Sequence, residues 1–259
     1  MASETLEGLV ARCTLLRSLH VPRRPVVLAN AWDVASARAI ESSGLLAVAT
    51  SSGAVAATIG QPDHEGGSGV DMLAVAALIA GSVAVPVTVD AEAGYGWSAG
   101  ELAGRLLEAG AAGANLEDTD HRAGTIRSIS EQCAYLAGVR DAADRLGYPL
   151  VLNARIDVFV RDRDRDPSLV VDDAISRANA YLGAGADCVY PIFLSEPAIR
   201  ARFIESVAGN VNLLTWPGGP TVPELAAAGA ARISYGTTLH RVAMAALQAQ
   251  LETIVREVP

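Results

Sequence analysis

Short, continuously apolar runs alternate with amphipathic stretches of helical spacing along the whole chain, and this constrains the fold more than any other feature. The apolar runs fall at residues 26–30, 45–50, 85–90, 113–117, 149–155, 188–193, 211–216 and 232–235. The stretches that follow them fall at 34–43, 70–80, 98–109, 128–146, 168–182, 196–207, 222–228 and 238–257. A strand with one wet face alternates apolar and polar residues; runs this uniformly apolar belong to strands buried on both faces. Gly44, Gly110, Gly147, Gly185 and Gly229 stand just past helical stretches, where a left-handed residue ends the last turn. Eight strand-then-helix units predict an α/β fold, a (β/α)8 TIM barrel made by residues 1–259 as one domain. An extra helix over about 4–19 precedes the first strand, and the final helix, 238–257, is long. An open doubly wound sheet would need a reversal of strand order, and eight units favour closure.

Composition narrows what such a barrel can do. All 20 basic residues are Arg, so no lysine Schiff base can form and no Walker-type phosphate loop can be built. A net charge of −9 argues against nucleic acid as a partner. No run of about 18 apolar residues exists to span a membrane. The first residues are acidic and lack the basic region of a signal peptide, which predicts a cytoplasmic protein. Cys13, Cys133 and Cys188 are far apart and read as free thiols in a reducing compartment. The Arg/Asp run at 161–166 reads as a solvated loop.

A barrel of this kind builds its active site at the C-terminal ends of its strands. There the sequence places Asn30-Ala31-Trp32-Asp33, Ser51-Ser52-Gly53, Asp63, Asp90-Ala91-Glu92-Ala93-Gly94-Tyr95-Gly96, Asn115-Leu116-Glu117-Asp118 and Asn153-Ala154-Arg155-Ile156-Asp157. Asp63, Asp90, Glu92, Glu117 and Asp118 fall on neighbouring positions, and close carboxylates repel unless a cation sits among them. Oxygen ligands without a His or Cys cluster suit Mg²⁺, or Mn²⁺, with some of these acids acting through water. A competing reading has some of these acids capping the helices that follow. Arg155 is expected to hold a substrate carboxylate or phosphonate, or else to pair internally with Glu117 or Asp157. Ser51, Ser52 and Gly53 offer hydroxyls and backbone N–H groups for a second oxyanion contact, or form an ordinary turn. His121 and Tyr95 are the candidate acids and bases, with loop-surface and packing roles as their alternatives. Trp32 and Trp97 flank the mouth, while His20, His64 and His240 show no ligand spacing.

Taken together and in order, these segments resemble the isocitrate lyase/phosphoenolpyruvate mutase superfamily, and the likeness spans essentially the whole chain. The resemblance implies a Mg²⁺-dependent (β/α)8 lyase or mutase that makes or breaks C–C or C–P bonds through a metal-held, pyruvate-like enolate. It implies that Asp90 and Glu117 are the principal metal carboxylates, with Glu92 where many members have Asp and Asp63 close to metal and substrate. Arg155 resembles the carboxylate-holding Arg, and Ser51, Ser52 and Gly53 the oxyanion pocket. Trp32, Gly94, Tyr95 and Asn153 complete the substrate-binding set. The resemblance also implies a homo-oligomer, dimer or tetramer, that exchanges its last helix between subunits.

One departure sharpens the expectation. The loop after the fourth strand, 117–126, has neither Cys nor Lys, whereas isocitrate and methylisocitrate lyases carry both there. Those two cleavages are therefore not expected. The chain looks like the shorter phosphonomutase-like members, some related to oxaloacetate decarboxylase. The expected activity is cleavage or formation of a C–C bond in a small 2-oxo or 2-hydroxy acid. The alternatives are C–P chemistry of the phosphonomutase or phosphonopyruvate hydrolase type, and a silent homologue that binds oxo acids.

Overall fold

The computed structural model describes residues 5–161 and 165–258; Glu4, at the expected start of the first helix, and residues 162–164 of the Arg/Asp run lie outside them. Helix α1, Leu6–Ser18, is capped by the Thr5 hydroxyl, which accepts from the Gly8 N–H. Eight parallel strands then close a barrel: β1 (Val26–Ala31), β2 (Val48–Thr50), β3 (Val87–Asp90), β4 (Gly113–Glu117), β7 (Val151–Ile156), β8 (Cys188–Pro191), β9 (Asn210–Leu214) and β10 (Arg232–Ser234). Their order around the barrel is β1-β10-β9-β8-β7-β4-β3-β2. The helices outside are α2 (Val34–Ser42), α4 (Gly69–Ala80), α5 (Ala99–Glu108), α6 (Ile129–Arg145), α8 (Val171–Gly183), α9 (Pro197–Ser206), α10 (Val222–Ala228) and α11 (Thr238–Glu257).

The core between strands and helices is packed with small aliphatics, and Leu28, Leu102, Leu106, Leu116, Leu136 and Leu150 are its fully buried larger members. Ser, Thr and Asp residues start the helices: Ser68, Ser98, Ser128, Thr221 and Asp33 each accept a first-turn N–H. Gly229 ends α10 in the left-handed conformation, φ +118°.

Three departures from the sequence reading concern the loops. The segment after β2 holds a short helix, α3 (Ser52–Thr58), where the sequence offered an oxyanion contact or an ordinary turn at Ser51, Ser52 and Gly53. Its alanines favour helix, and Ser51 precedes it with extended backbone. The loop after β4 folds into a hairpin of β5 (Thr119–Asp120) and β6 (Thr125–Ile126), because Asp120 Oδ1 accepts the N–H groups of Arg122 and Ala123 and tightens the turn. After β7 the chain makes one more turn of helix, α7 (Val158–Arg161). No helix among the described residues is long and apolar enough to cross a membrane, and the three cysteines are free.

Candidate active site

The strand register puts Asp90, Asn115 and Asn153 side by side on β3, β4 and β7, and Glu117, Arg155 and Tyr190 in a row one pleat higher. Above them, at the C-terminal ends of the strands, is a cavity of about 320 Å³. Ser51, Ser52, Asp63, Asp90, Glu92, Glu117 and Arg155 line it, so seven of the expected residues share one wall system.

The acids are unequally provided for. Asp90 Oδ2 accepts the Ser52 N–H at 3.1 Å, but its Oδ1 is buried without a partner. Asp63 Oδ1 is likewise buried and unpartnered. Glu92 accepts the Glu65 N–H at 2.5 Å. Burial, with Asp90, Asp63 and Glu117 nearby, pushes the Glu92 carboxyl up to about 8. Glu117 takes His121 Nε2 on one oxygen and Arg155 Nη1 on the other, both at 2.5 Å. Burial pushes Glu117 upward, while the Arg155 guanidinium pulls it back. The rim is strained as well: His64, Glu65, Glu92 and Tyr95 have φ of +62°, +54°, +48° and +56°, a region that non-glycine residues occupy at a cost.

Several expected residues have other work. Arg155 pairs internally, with Glu117 and through Nε and Nη2 with Asp157 at 2.6 and 3.0 Å, as its alternative reading had it. Asp118 turns outward to the Asp157 N–H, the Tyr181 hydroxyl and Arg177, because consecutive strand residues point to opposite faces. Gly53 makes room: a Cβ there would stand 2.6 Å from Asp63 Oδ2. Gly94, at φ +95°, leaves space for the Tyr135 hydroxyl. Tyr95 lies behind the wall with its ring 5.1 Å from that of Trp97, and burial with Glu92 beside it keeps the phenol protonated. Trp32 stands edge-on to His240 at 5.1 Å, outside the cavity lining. Asn153 is fully buried beneath the cavity and donates to Asn115. His121 sits at the rim, its ring 5.5 Å from His64. Burial opposes its charge, but Glu117 outweighs this and raises its pKa.

The cavity also takes in Asn30 and Asn115, which strand-end reading placed at the mouth without a role, and Tyr190, Ser234, Thr237 and Arg241, which it passed over. Tyr190 and Ser234 are inward-facing strand residues within apolar runs, and only the barrel register reveals them. Arg241 lies a full turn inside α11, and among the described residues its guanidinium meets no acid, only the Thr238 hydroxyl at 3.4 Å.

Among the described residues no three His, Cys, Asp or Glu side chains form a ready-made metal cage. The donor set nevertheless fits Mg²⁺, which keeps several waters and takes only one or two carboxylates directly. The unpartnered oxygens of Asp90 and Asp63 and the crowding that raises Glu92 supply such a place.

A closed (β/α)8 barrel with an acid-rich mouth is the fold of the lyases and mutases to which this chain is similar. The profile of the family Phosphoenolpyruvate phosphomutase matches residues 16–255. The chain is 32% identical over 221 residues to an uncharacterised protein of Mycobacterium tuberculosis, covering 85% of this chain and 80% of that one. A crystal structure from Burkholderia cenocepacia J2315, provisionally called a phosphonomutase, superposes with a TM-score of 0.88 at 38% identity, covering 93% of this chain and 99% of that one. Oxaloacetate acetylhydrolase in complex with its product oxalate superposes with a TM-score of 0.82 at 25% identity, covering 98% and 87%. The chain belongs to the phosphoenolpyruvate phosphomutase family, within the isocitrate lyase/PEP mutase superfamily, and is an enzyme of its lyase class.

Proposed function

We propose that the cavity is the active site of a divalent-metal-dependent lyase that cleaves, or in reverse forms, a C–C bond in a small 2-oxo or 2-hydroxy carboxylic acid. The observation that carries this reading is the pair of buried, unpartnered carboxylate oxygens on Asp90 and Asp63 in one cavity wall, with Arg241 in the same lining. Asp90 would hold Mg²⁺ or Mn²⁺ directly, with Asp63, Glu92 and Glu117 acting through water or as further ligands. The ion, when bound, supplies Lewis-acid polarisation of the substrate oxygen next to the breaking bond.

The chain's own groups do the rest. Arg241 holds the remote carboxylate, since Arg155 is occupied with Glu117 and Asp157. The Ser51 hydroxyl, bonded to Thr237 at 3.0 Å, orients that wall. Cleavage leaves an electron pair on the carbon that was bonded, and that carbon must take a proton. His121, bonded through Nε2 to Glu117, which raises its pKa, stands at the rim and would supply it. The hairpin that bears His121 would be the segment to exclude water from the reacting substrate.

A second reading, C–P chemistry on a phosphonate, is favoured by the likeness to the Burkholderia protein, and Arg241 would serve a phosphonate equally well. A panel of malates, citrates and oxaloacetate supplied with Mg²⁺ tests the first reading: release of an oxo acid supports it. Silence across the panel, with conversion of phosphonopyruvate seen by phosphorus NMR, would establish the second.

Helix α11 points to the assembly. Val242, Met244, Leu247, Leu251, Ile254 and Val255 are all exposed along it. Such a face is covered in a homo-oligomer, dimer or tetramer, by exchange of this helix between copies. Light scattering on the purified protein checks this, a monomer being the adverse result. The free cysteines suit a cytoplasmic setting.

A further inference from the structure

A band of polar side chains crosses the barrel interior beneath the cavity. Arg232, the first residue of β10, is fully buried, and its Nη2 donates to Asn115 Oδ1 on β4 at 2.9 Å. These strands stand opposite each other in the closed sheet, so the bond spans the interior. The same Oδ1 accepts Nδ2 of Asn153, the Cα partner on β7, at 2.8 Å. A guanidinium has no acceptor, so the Asn115 atom facing it has to be the carbonyl oxygen. With two donors on that oxygen the amide cannot turn over. What Asn115 presents to the cavity it lines is therefore its NH2 group, which has no protein partner among the described residues.

A fixed neutral donor set among carboxylates is a place for an oxygen that brings its own negative charge. The neighbouring acids do not take it up: Asp90 Oδ2 accepts the Ser52 N–H, and Glu117 is bonded to Arg155 and His121. Behind it lies the Arg232 charge, buried with its Nε and Nη1 unpartnered. A desolvated cation at that depth strengthens any anion bound above it.

We propose that Asn115 contacts the substrate, its NH2 donating to a carboxylate or carbonyl oxygen of the bound acid, and that Arg232 is the residue that positions it. This rests on the oxo-acid reading of the cavity, and it adds a contact on the cavity floor, distinct from the Arg241 contact. The test is calorimetric titration of oxalate, with Mg²⁺ present, into the wild type and variants, each also melted. Asn115→Ala removes the donor without adding charge and is expected to weaken oxalate by about tenfold or more, the effect of losing a hydrogen bond to a charged group. Asn115→Asp keeps acceptors for Arg232 and Asn153, so its melting temperature should hold or rise while oxalate binding falls. Arg232→Met should weaken oxalate as Asn115→Ala does, and Arg232→Lys, which retains a donor, should recover most of the loss. If Asn115→Ala and Asn115→Asp bind oxalate within about twofold of wild type, the inference is overturned while the oxo-acid reading stands. If the wild type itself binds no oxalate, both fall.

Discussion

Asp187 and Asp90 are both carboxylates at strand ends, one just before β8 on the barrel floor, the other at the end of β3 in the mouth, and they keep different company. Asp187 accepts from Arg17 Nε at 2.7 Å, Arg140 Nη2 at 2.6 Å and the Leu152 N–H at 2.8 Å. The same two arginines also donate to the carbonyls of Pro149, Leu150 and Gly185, tying α1 and α6 to the strands. Asp90 has one side-chain partner, an unpaired buried oxygen, and three other acids around it. The floor spends charge on cohesion; the mouth leaves a carboxylate oxygen unpaired among other acids. A barrel divides stability and function between its two ends in this way.

The contrast can be broken from either side. Asp90→Asn should lower turnover by roughly a hundredfold or more and abolish Mg²⁺ binding by calorimetry; undiminished Mg²⁺ affinity would place the metal elsewhere. The mirror substitution, Asp187→Asn, leaves two arginines short of a carboxylate and should cost about 3 kcal/mol of stability in urea unfolding, with catalysis intact in the surviving folded fraction.

His20 gives the floor a pH dependence of its own. Its Nδ1 donates to the Leu16 carbonyl, and burial, reinforced by the Arg232 charge, lowers its pKa from 6.5 to about 4. The folded state therefore stays neutral where the unfolded chain takes up a proton. Stability is full above pH 6.5 and falls as the pH drops from 6.5 to about 4, by up to about 3 kcal/mol. His20→Gln should flatten that slope in unfolding curves measured across the window; an unchanged slope would assign it to other groups.

Two smaller effects sharpen the comparison. Without metal, Asp90→Asn should raise stability by about 1 kcal/mol as repulsion in the mouth is relieved, the opposite sign to Asp187→Asn. Gly53→Ala sets a methyl 2.6 Å from Asp63 Oδ2, and a displaced Asp63 should weaken Mg²⁺ binding by about threefold to tenfold with little change in melting temperature.

The barrel itself was legible because strands buried on both faces leave uninterrupted apolar runs and glycines mark where helices stop. The direction of strand-end side chains was not. Glu117 and Asp118 are adjacent acids of similar chemistry, yet one faces the cavity and the other Arg177, and an unalternating strand carries no signal to separate them. Helix α3 was hidden by the glycines and serine around its alanines. Arg241 was missed because it sits in a helix beyond the last strand end, and Asn115 was placed at the mouth without a role because its value depends on Arg232, a residue 117 positions away.

The cations that line the cavity, Arg155 and Arg241, are both guanidinium groups, and the chain has no lysine to set an ammonium beside them. In a pH–rate profile the alkaline limb therefore cannot come from a lysine ammonium. The side chains left to shape the two limbs are carboxylates, histidines, thiols and phenols, each assignable by a single substitution.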